Sequence, residues 1–424
     1  MDPLRRLRRV LTLAVVSALI AGACGEPTGS EVRGDAERVA VPETAARPVA
    51  RAVNAFGLDL YRALAPTGGN LVVAPQAVAT SLAMSRAGAG SQTRDQLDRV
   101  LHLQTVPEPE RGFNAIGAAL GTRSGDRRSE VRVGELTLRS SVALWGQQDT
   151  RFDPVFLDVL AAQFGSGIRV VDFRSDPEQA RRAVNRWVGE DTDGQLTDLV
   201  PRGGFTEYTR FVLTSAFTLR APWLVPFPPT ATRERPFRLP DGATVDVPTM
   251  TTRAQTGLWV GSGGGWTAVE LPYLGEELSM VVVAPDDLGA FEAGWDPGRL
   301  DEVLRSLRPG PVELTMPTFG FATRLNLNDV LASMGMPAAF DPAAADFAGI
   351  TTDEQLVISD TPTETYVSVG PEGSEEEATT VVTSGPGPRF AAPAVRIDRP
   401  FLFVVRDRPT GVVLQLGRVV DPRS

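Results

Sequence analysis

Residues able to do covalent or acid–base chemistry are scarce in this chain. It has one His, His102 in Val100-Leu101-His102-Leu103, and one Cys, Cys24. A nucleophilic enzyme needs a base beside its nucleophile; no G-x-S-x-G elbow occurs, and Gly263-Gly264-Gly265 lacks the Lys of a phosphate-binding loop. One His and one Cys also exclude the common Cys/His zinc spacings. The chain is therefore read as a non-enzyme, and neither a metal nor a cofactor is expected. A different chemistry is on offer near the C-terminus. The acidic, Gly-led run Glu372-Gly373-Ser374-Glu375-Glu376-Glu377-Ala378-Thr379-Thr380 leads into Ser384-Gly385-Pro386-Gly387-Pro388-Arg389, and two apolar segments follow at 401–405 and 412–419. A chain that ends on core strands rarely places an exposed, bait-like loop just ahead of them.

Elements able to carry such a loop are legible upstream. Val53, Phe56, Leu60 and Ala63 recur at helical spacing, and Pro66 with Gly68-Gly69 closes that segment. A second apolar helix runs through Met84 to Ser91, and a third over 93–101. Strand-like runs follow at 141–145, 211–219, 269–271, 278–284, 312–316 and 365–369, and the Pro and Gly of 406–411 mark a turn between the apolar segments 401–405 and 412–419. Helices first and strands later predict an α+β domain with large mixed and antiparallel sheets. With 424 residues and 42% hydrophobic content the chain can bury a large core. Its net charge of −10 argues against nucleic acid as a partner. All 42 basic residues are Arg, read as a compositional bias.

The first 24 residues are a processing segment rather than part of the fold. Arg5, Arg6, Arg8 and Arg9 precede an apolar run at 10–20 that is too short to span a bilayer, and Ala21-Gly22-Ala23-Cys24 follows. The pattern resembles a bacterial lipoprotein signal, which implies that Cys24 is acylated and anchors the chain at a membrane surface; Ala21 in place of the commoner Leu leaves plain secretion as the alternative. Residues 25–47 are polar and without apolar period, and predict a flexible tether ahead of a folded domain at 48–424.

Ordered blocks then carry a family resemblance. They are Asn185-Arg186-Trp187-Val188 with Thr192-Asp193-Gly194, Val212-Leu213-Thr214-Ser215-Ala216-Phe217 leading to Trp223 and Pro226-Phe227, Pro236-Phe237 with Asp241-Gly242, and Glu270-Leu271-Pro272-Tyr273. Met316-Pro317-Thr318-Phe319, 331–336, Asp346-Phe347-Ala348-Gly349-Ile350, Arg399-Pro400-Phe401-Leu402-Phe403 and Gly417-Arg418-Val419-Val420-Asp421-Pro422 complete the set. Each alone could be a packed turn or strand. Their order and spacing from Val53 to Pro422 resemble the serpins.

The resemblance implies a monomeric protease inhibitor acting as a suicide substrate. An exposed loop is cut by a serine protease and inserts as a new strand of the main sheet while still acyl-linked to it. Glu372, Gly373 and Ser374 then form the hinge. Alternation along an inserted strand turns Ser374, Glu376, Ala378, Thr380 and Val382 to one side. Ala378, Thr380 and Val382 suit a buried face, whereas Glu376 does not, because an unpaired buried carboxylate costs several kcal/mol. Spacing from Gly373 puts the scissile bond at Gly387-Pro388, and spacing back from Pro400 puts it at Arg389-Phe390. A Pro after the cut bond blocks most serine proteases, so Arg389 is the bait expected, suited to the carboxylate-bearing pocket of a trypsin-like enzyme.

Four positions that usually form a polar cluster under the opening sheet are Ala74, Ala77, Ser215 and Thr363 here. The expectation is a plainer, less polar latch, since losing all partners together can be nearly neutral where losing one is not. A non-inhibitory binding or scaffold protein on the same fold is the alternative. Acidic pI makes a polyanion cofactor unexpected, and Arg181, Arg182 and Arg186 are read as a solvated helix face.

Overall fold

The computed structural model describes residues 29–129, 132–252, 255–374 and 392–423. Among these, two large sheets carry the fold. The first sheet contains β1 (Ser30–Val32), β2 (Gly125–Arg128), β3 (Val133–Gln147), β4 (Ile168–Val171), β5 (Phe211–Pro222), β6 (Phe319–Asn326), β7 (Pro362–Val369) and β8 (Gly373–Ser374). Its order is β1-β4-β3-β5-β7-β6, with β8 on β5 and β2 on β3. The second sheet centres on Leu278–Pro285, Phe401–Asp407 and Val413–Val419, which pair antiparallel in that order. Leu278–Pro285 is buried at every position. A strand covered on both faces reads as a continuous apolar run rather than an alternating one.

Helices close the layers. The helix α1 (Ala46–Leu64) and α2 (Pro75–Ala87) both pack on the strand Val413–Val419. The stripe of α1 includes Val53, Phe56 and Leu60 as its spacing predicts, but Leu64, not the exposed Ala63, completes it. A third helix, α3 (Pro177–Asp191), starts at Asp176, whose carboxylate accepts from Gln179 N, with Pro177 at the first turn. It covers the outer face of the first sheet, where Trp187, Val184 and Val188 meet Trp145, Val212 and Ala216. Arg181 on this helix is buried and bonded to Glu178 and the Val200 carbonyl, so the basic patch is not simply a solvated face.

The predicted tether is corrected for the part that the structure describes. Ser30–Val32 pairs antiparallel with β4, Arg38 Nε donates to Asn114 Oδ1 at 3.0 Å, and Val39 N donates to the Ala162 carbonyl at 2.9 Å. The segment lacks an apolar period because an edge strand is held through its backbone, which side-chain patterning does not report. The folded unit therefore begins by Ser30 rather than at residue 48.

Candidate functional site

The first sheet has a seam between β5 and β7. These strands run parallel, and the ladder holds Thr363 to Ser215, Glu364 to Ala216 and Thr365 to Phe217, ending there. Below it, Leu213 N donates to the Asp360 carbonyl at 3.0 Å. Above it the strands part, and β8 has taken the vacated edge of β5, antiparallel, with Gly373 on Pro222 and Ser374 on Ala221. A parallel pair inside a largely antiparallel sheet is the weaker pairing, and a strand entering here would lie antiparallel to both neighbours. Gly373 and Ser374, the expected hinge, are thus paired on β5 where such a strand would begin.

Its seating is over-determined. Trp223 Nε1 donates to the Gly370 carbonyl at 3.0 Å, Phe227 N to the Pro371 carbonyl at 2.9 Å and Trp223 N to the Glu372 carbonyl at 2.9 Å. Arg132, just before β3, donates to Glu372 Oε2 at 2.8 Å and to the Trp223 and Glu372 carbonyls at 3.2 and 3.4 Å. The Arg132 side chain is only 2% exposed. Burial pulls its guanidinium below the ordinary value, and the Glu372 carboxylate opposes that. Ser374 Oγ lies 2.6 Å from the Tyr273 hydroxyl, and the Tyr273 ring stacks on Trp223 with centroids 4.5 Å apart. Complete burial pushes the Tyr273 phenol up, so it remains a neutral hydroxyl.

Gly373 has a reason that differs from conformational freedom. A Cβ there would fall 2.1 Å from the Ala221 carbonyl oxygen, so only glycine lets the stem approach β5 this closely. Arg132 was not among the residues singled out from sequence. No local pattern marks it, since its partner Glu372 lies 240 residues away.

Of the four positions expected beneath the seam, Ser215 and Thr363 are brought together. Ser215 Oγ donates to Thr363 Oγ1 at 2.9 Å, buried, directly across the β5–β7 ladder. Ala74 and Ala77 are buried at the start of α2 and offer no side-chain polar group. Glu376, Ala378, Thr380, Arg389, Phe390 and Cys24 lie outside the described residues. His102 follows the helix Ser91–Val100 and is exposed, with Nε2 2.7 Å from Asp59 Oδ2, remote from the seam in sequence and bonded to a surface carboxylate. Among the described residues no group of three His, Cys, Asp or Glu is placed to hold a metal ion.

Comparison with known proteins agrees with this architecture. A family model described as Serpin (serine protease inhibitor) matches residues 51–422. An uncharacterized serpin-like protein of Thermococcus kodakarensis is 34% identical over 386 residues, spanning 89% of this chain and 87% of that one. Plasminogen activator inhibitor 1 of Neovison vison is 30% identical over 379 residues, 87% of this chain and 91% of the relative. The crystal structure of a highly specific serpin of the insect Tenebrio molitor matches with a TM-score of 0.75 at 26% identity, covering 88% of this chain and 98% of that one. The thermophilic serpin tengpin in its native state gives a TM-score of 0.80 at 19% identity over 93% of this chain and 99% of its own, a likeness of fold. With a parted seam, a seated hinge and a match running from residue 51 to residue 422, the chain belongs to the serpin family.

Proposed function

We propose that this serpin is a suicide-substrate inhibitor of a trypsin-like serine protease, with Arg389 as the bait residue. The observation that carries the reading is the hinge already paired at the head of a parallel seam, antiparallel to β5, where a strand could propagate downward. In the proposed reaction the protease's serine oxygen attacks the Arg389 carbonyl carbon. The bond to the Phe390 nitrogen breaks, and the leaving amine takes its proton from the protease's own histidine. The acyl ester then links Arg389 to the protease while the released loop zips between β5 and β7. Carrying the protease along distorts its active site and stalls the water that would free it. All catalysis belongs to the protease. We further propose that the chain is exported as a monomer and held at a membrane surface through acylated Cys24, with residues 25–29 as the short remaining link.

In the proposed inserted form, the registers of β7 and β8 on β5 are extended along the loop sequence, which gives each inserted residue its expected neighbours. Ala378 falls between Phe217 and Thr365, and Thr380 between Ser215 and Thr363, so the Ser215–Thr363 bond must break and the Thr380 hydroxyl arrives to replace it. Glu376 falls between Leu219 and Val367, both buried and apolar. That placement favours the second reading, a serpin-fold binding protein that does not trap proteases, because insertion then stalls after two residues.

Mixing the chain with trypsin and resolving the products on a denaturing gel separates the two. Inhibition gives a covalent complex and a released peptide that mass spectrometry reads as starting at Phe390. Cleavage with no complex leaves the binding-protein reading.

A further inference from the structure

The seam carries a polar contact that none of the four expected positions supplies. Along β7 and the residues before it, the Asp360 carbonyl accepts from Leu213 N across the seam, and the Thr361 carbonyl accepts from Leu327 N on the opposite side at 3.2 Å. Carbonyls of an extended chain alternate between its two edges, so even-numbered residues here aim theirs at β5. The Tyr366 carbonyl therefore points into the seam. Tyr366 is one residue beyond the last β5–β7 pair, so that ladder does not reach it. Its donor comes from the second sheet instead: Gln415 Nε2, at 2.7 Å. Gln415 is a buried amide in the strand Val413–Val419, flanked by the buried Leu414 and Leu416.

A buried carbonyl without a donor is costly, and an amide sunk among apolar side chains is costly unless it is used. Each solves the other's problem only while no strand occupies the upper seam. A strand entering between β5 and β7 would bring its own N–H groups to the same edge. We propose that Gln415 is a positioning residue for strand insertion: it holds the Tyr366 carbonyl as a surrogate strand and yields it to an incoming N–H. This rests on the loop-insertion reading above. It places the polar latch of this serpin on the C-terminal strand of the second sheet, one step above the Ser215–Thr363 bond, rather than at Ala74 and Ala77.

Removing the donor penalises the uninserted form alone, because in the inserted form the strand satisfies Tyr366. The full chain, purified in mild detergent, is compared with Gln415→Met, which keeps length and removes the donor. Each is incubated warm and sampled for susceptibility of its loop to subtilisin, and thermal unfolding is followed before and after loop cleavage. Gln415→Met is expected to lose loop susceptibility about tenfold faster and to unfold at lower temperature before cleavage, the scale of one lost buried hydrogen bond. After cleavage it should unfold at or above the wild-type temperature, because insertion leaves the wild-type Gln415 amide without its acceptor. Gln415→His, a donor of different shape, should restore part of the wild-type resistance to conversion, and Gln415→Leu replaces the Met variant if that one does not fold. Equal conversion rates, or a cleaved form weakened as much as the uncleaved one, overturn the assignment and make Gln415 a packing residue. A wild-type chain that gains no stability on loop cleavage overturns the insertion reading and this proposal with it.

Discussion

The stem of the loop and the seam below it are built in opposite ways. At the stem, a turn of a few residues accepts bonds from Trp223, Phe227 and Arg132, meets Tyr273 through Ser374, and contains a largely buried ion pair. At the seam, three parallel pairs and the Ser215–Thr363 bond join β5 to β7. The contrast teaches where freedom is allowed. On the proposed reading, a stem pinned at one end of a lightly joined sheet restricts an entering strand to one direction and one register, and a one-residue slip would turn every side chain to the wrong face.

The comparison breaks most visibly at the ion pair. Glu372→Gln leaves the Arg132 guanidinium buried against carbonyls alone, and we expect a loss of about 3 kcal/mol, read from urea unfolding; a loss under about 0.5 kcal/mol, the level of an ordinary surface change, means that the pair does not hold the stem. A smaller effect tests the foot of the seam. Burial raises the Asp360 carboxyl to about 6, against a hydrogen bond from Asn326 that pulls the other way. A raised folded-state value means that the folded chain holds a proton the unfolded one has released, so this group's stabilisation is full below about pH 4 and is lost as pH rises through about 6. Asp360→Asn should flatten the fall in stability between those values and leave the chain steadier at neutral pH; an unchanged pH profile removes Asp360 from the seam's energetics. The smallest effect sharpens the contrast. Ser215→Ala strands the Thr363 hydroxyl and should cost about 1 kcal/mol, whereas Ser215→Ala with Thr363→Val should return most of it. A double-mutant cycle with no coupling would mean that this bond contributes nothing.

Much of the molecule was legible before any coordinates. The ordered blocks from Val53 to Pro422 pointed to the family, and Pro409 and Gly411 do separate Phe401–Asp407 from Val413–Val419, although the first strand runs two residues further than the expected 401–405. Gly373 and Ser374 were expected as a hinge; what the structure shows of them is their pairing with β5 and the approach to Ala221 that requires glycine. Residues 30–47 were misread because backbone pairing at a sheet edge leaves no side-chain period behind.

Arg132 and Gln415 were missed for a related reason. Each is a lone polar residue whose meaning lies in a carbonyl or carboxylate supplied by a distant stretch of chain: Glu372 is 240 residues from Arg132, and Tyr366 is 49 from Gln415. Sequence by itself pointed to the family through the resemblance of its ordered blocks, and it determined the α+β architecture and the scarcity of catalytic groups through local apolar periodicity and residue types. Only the tertiary structure decided that Gly373 and Ser374 pair with β5, that the β5–β7 ladder ends at Thr365, and which buried polar groups meet there. Burial makes each of those groups find a partner, and folding alone brings the partners within reach.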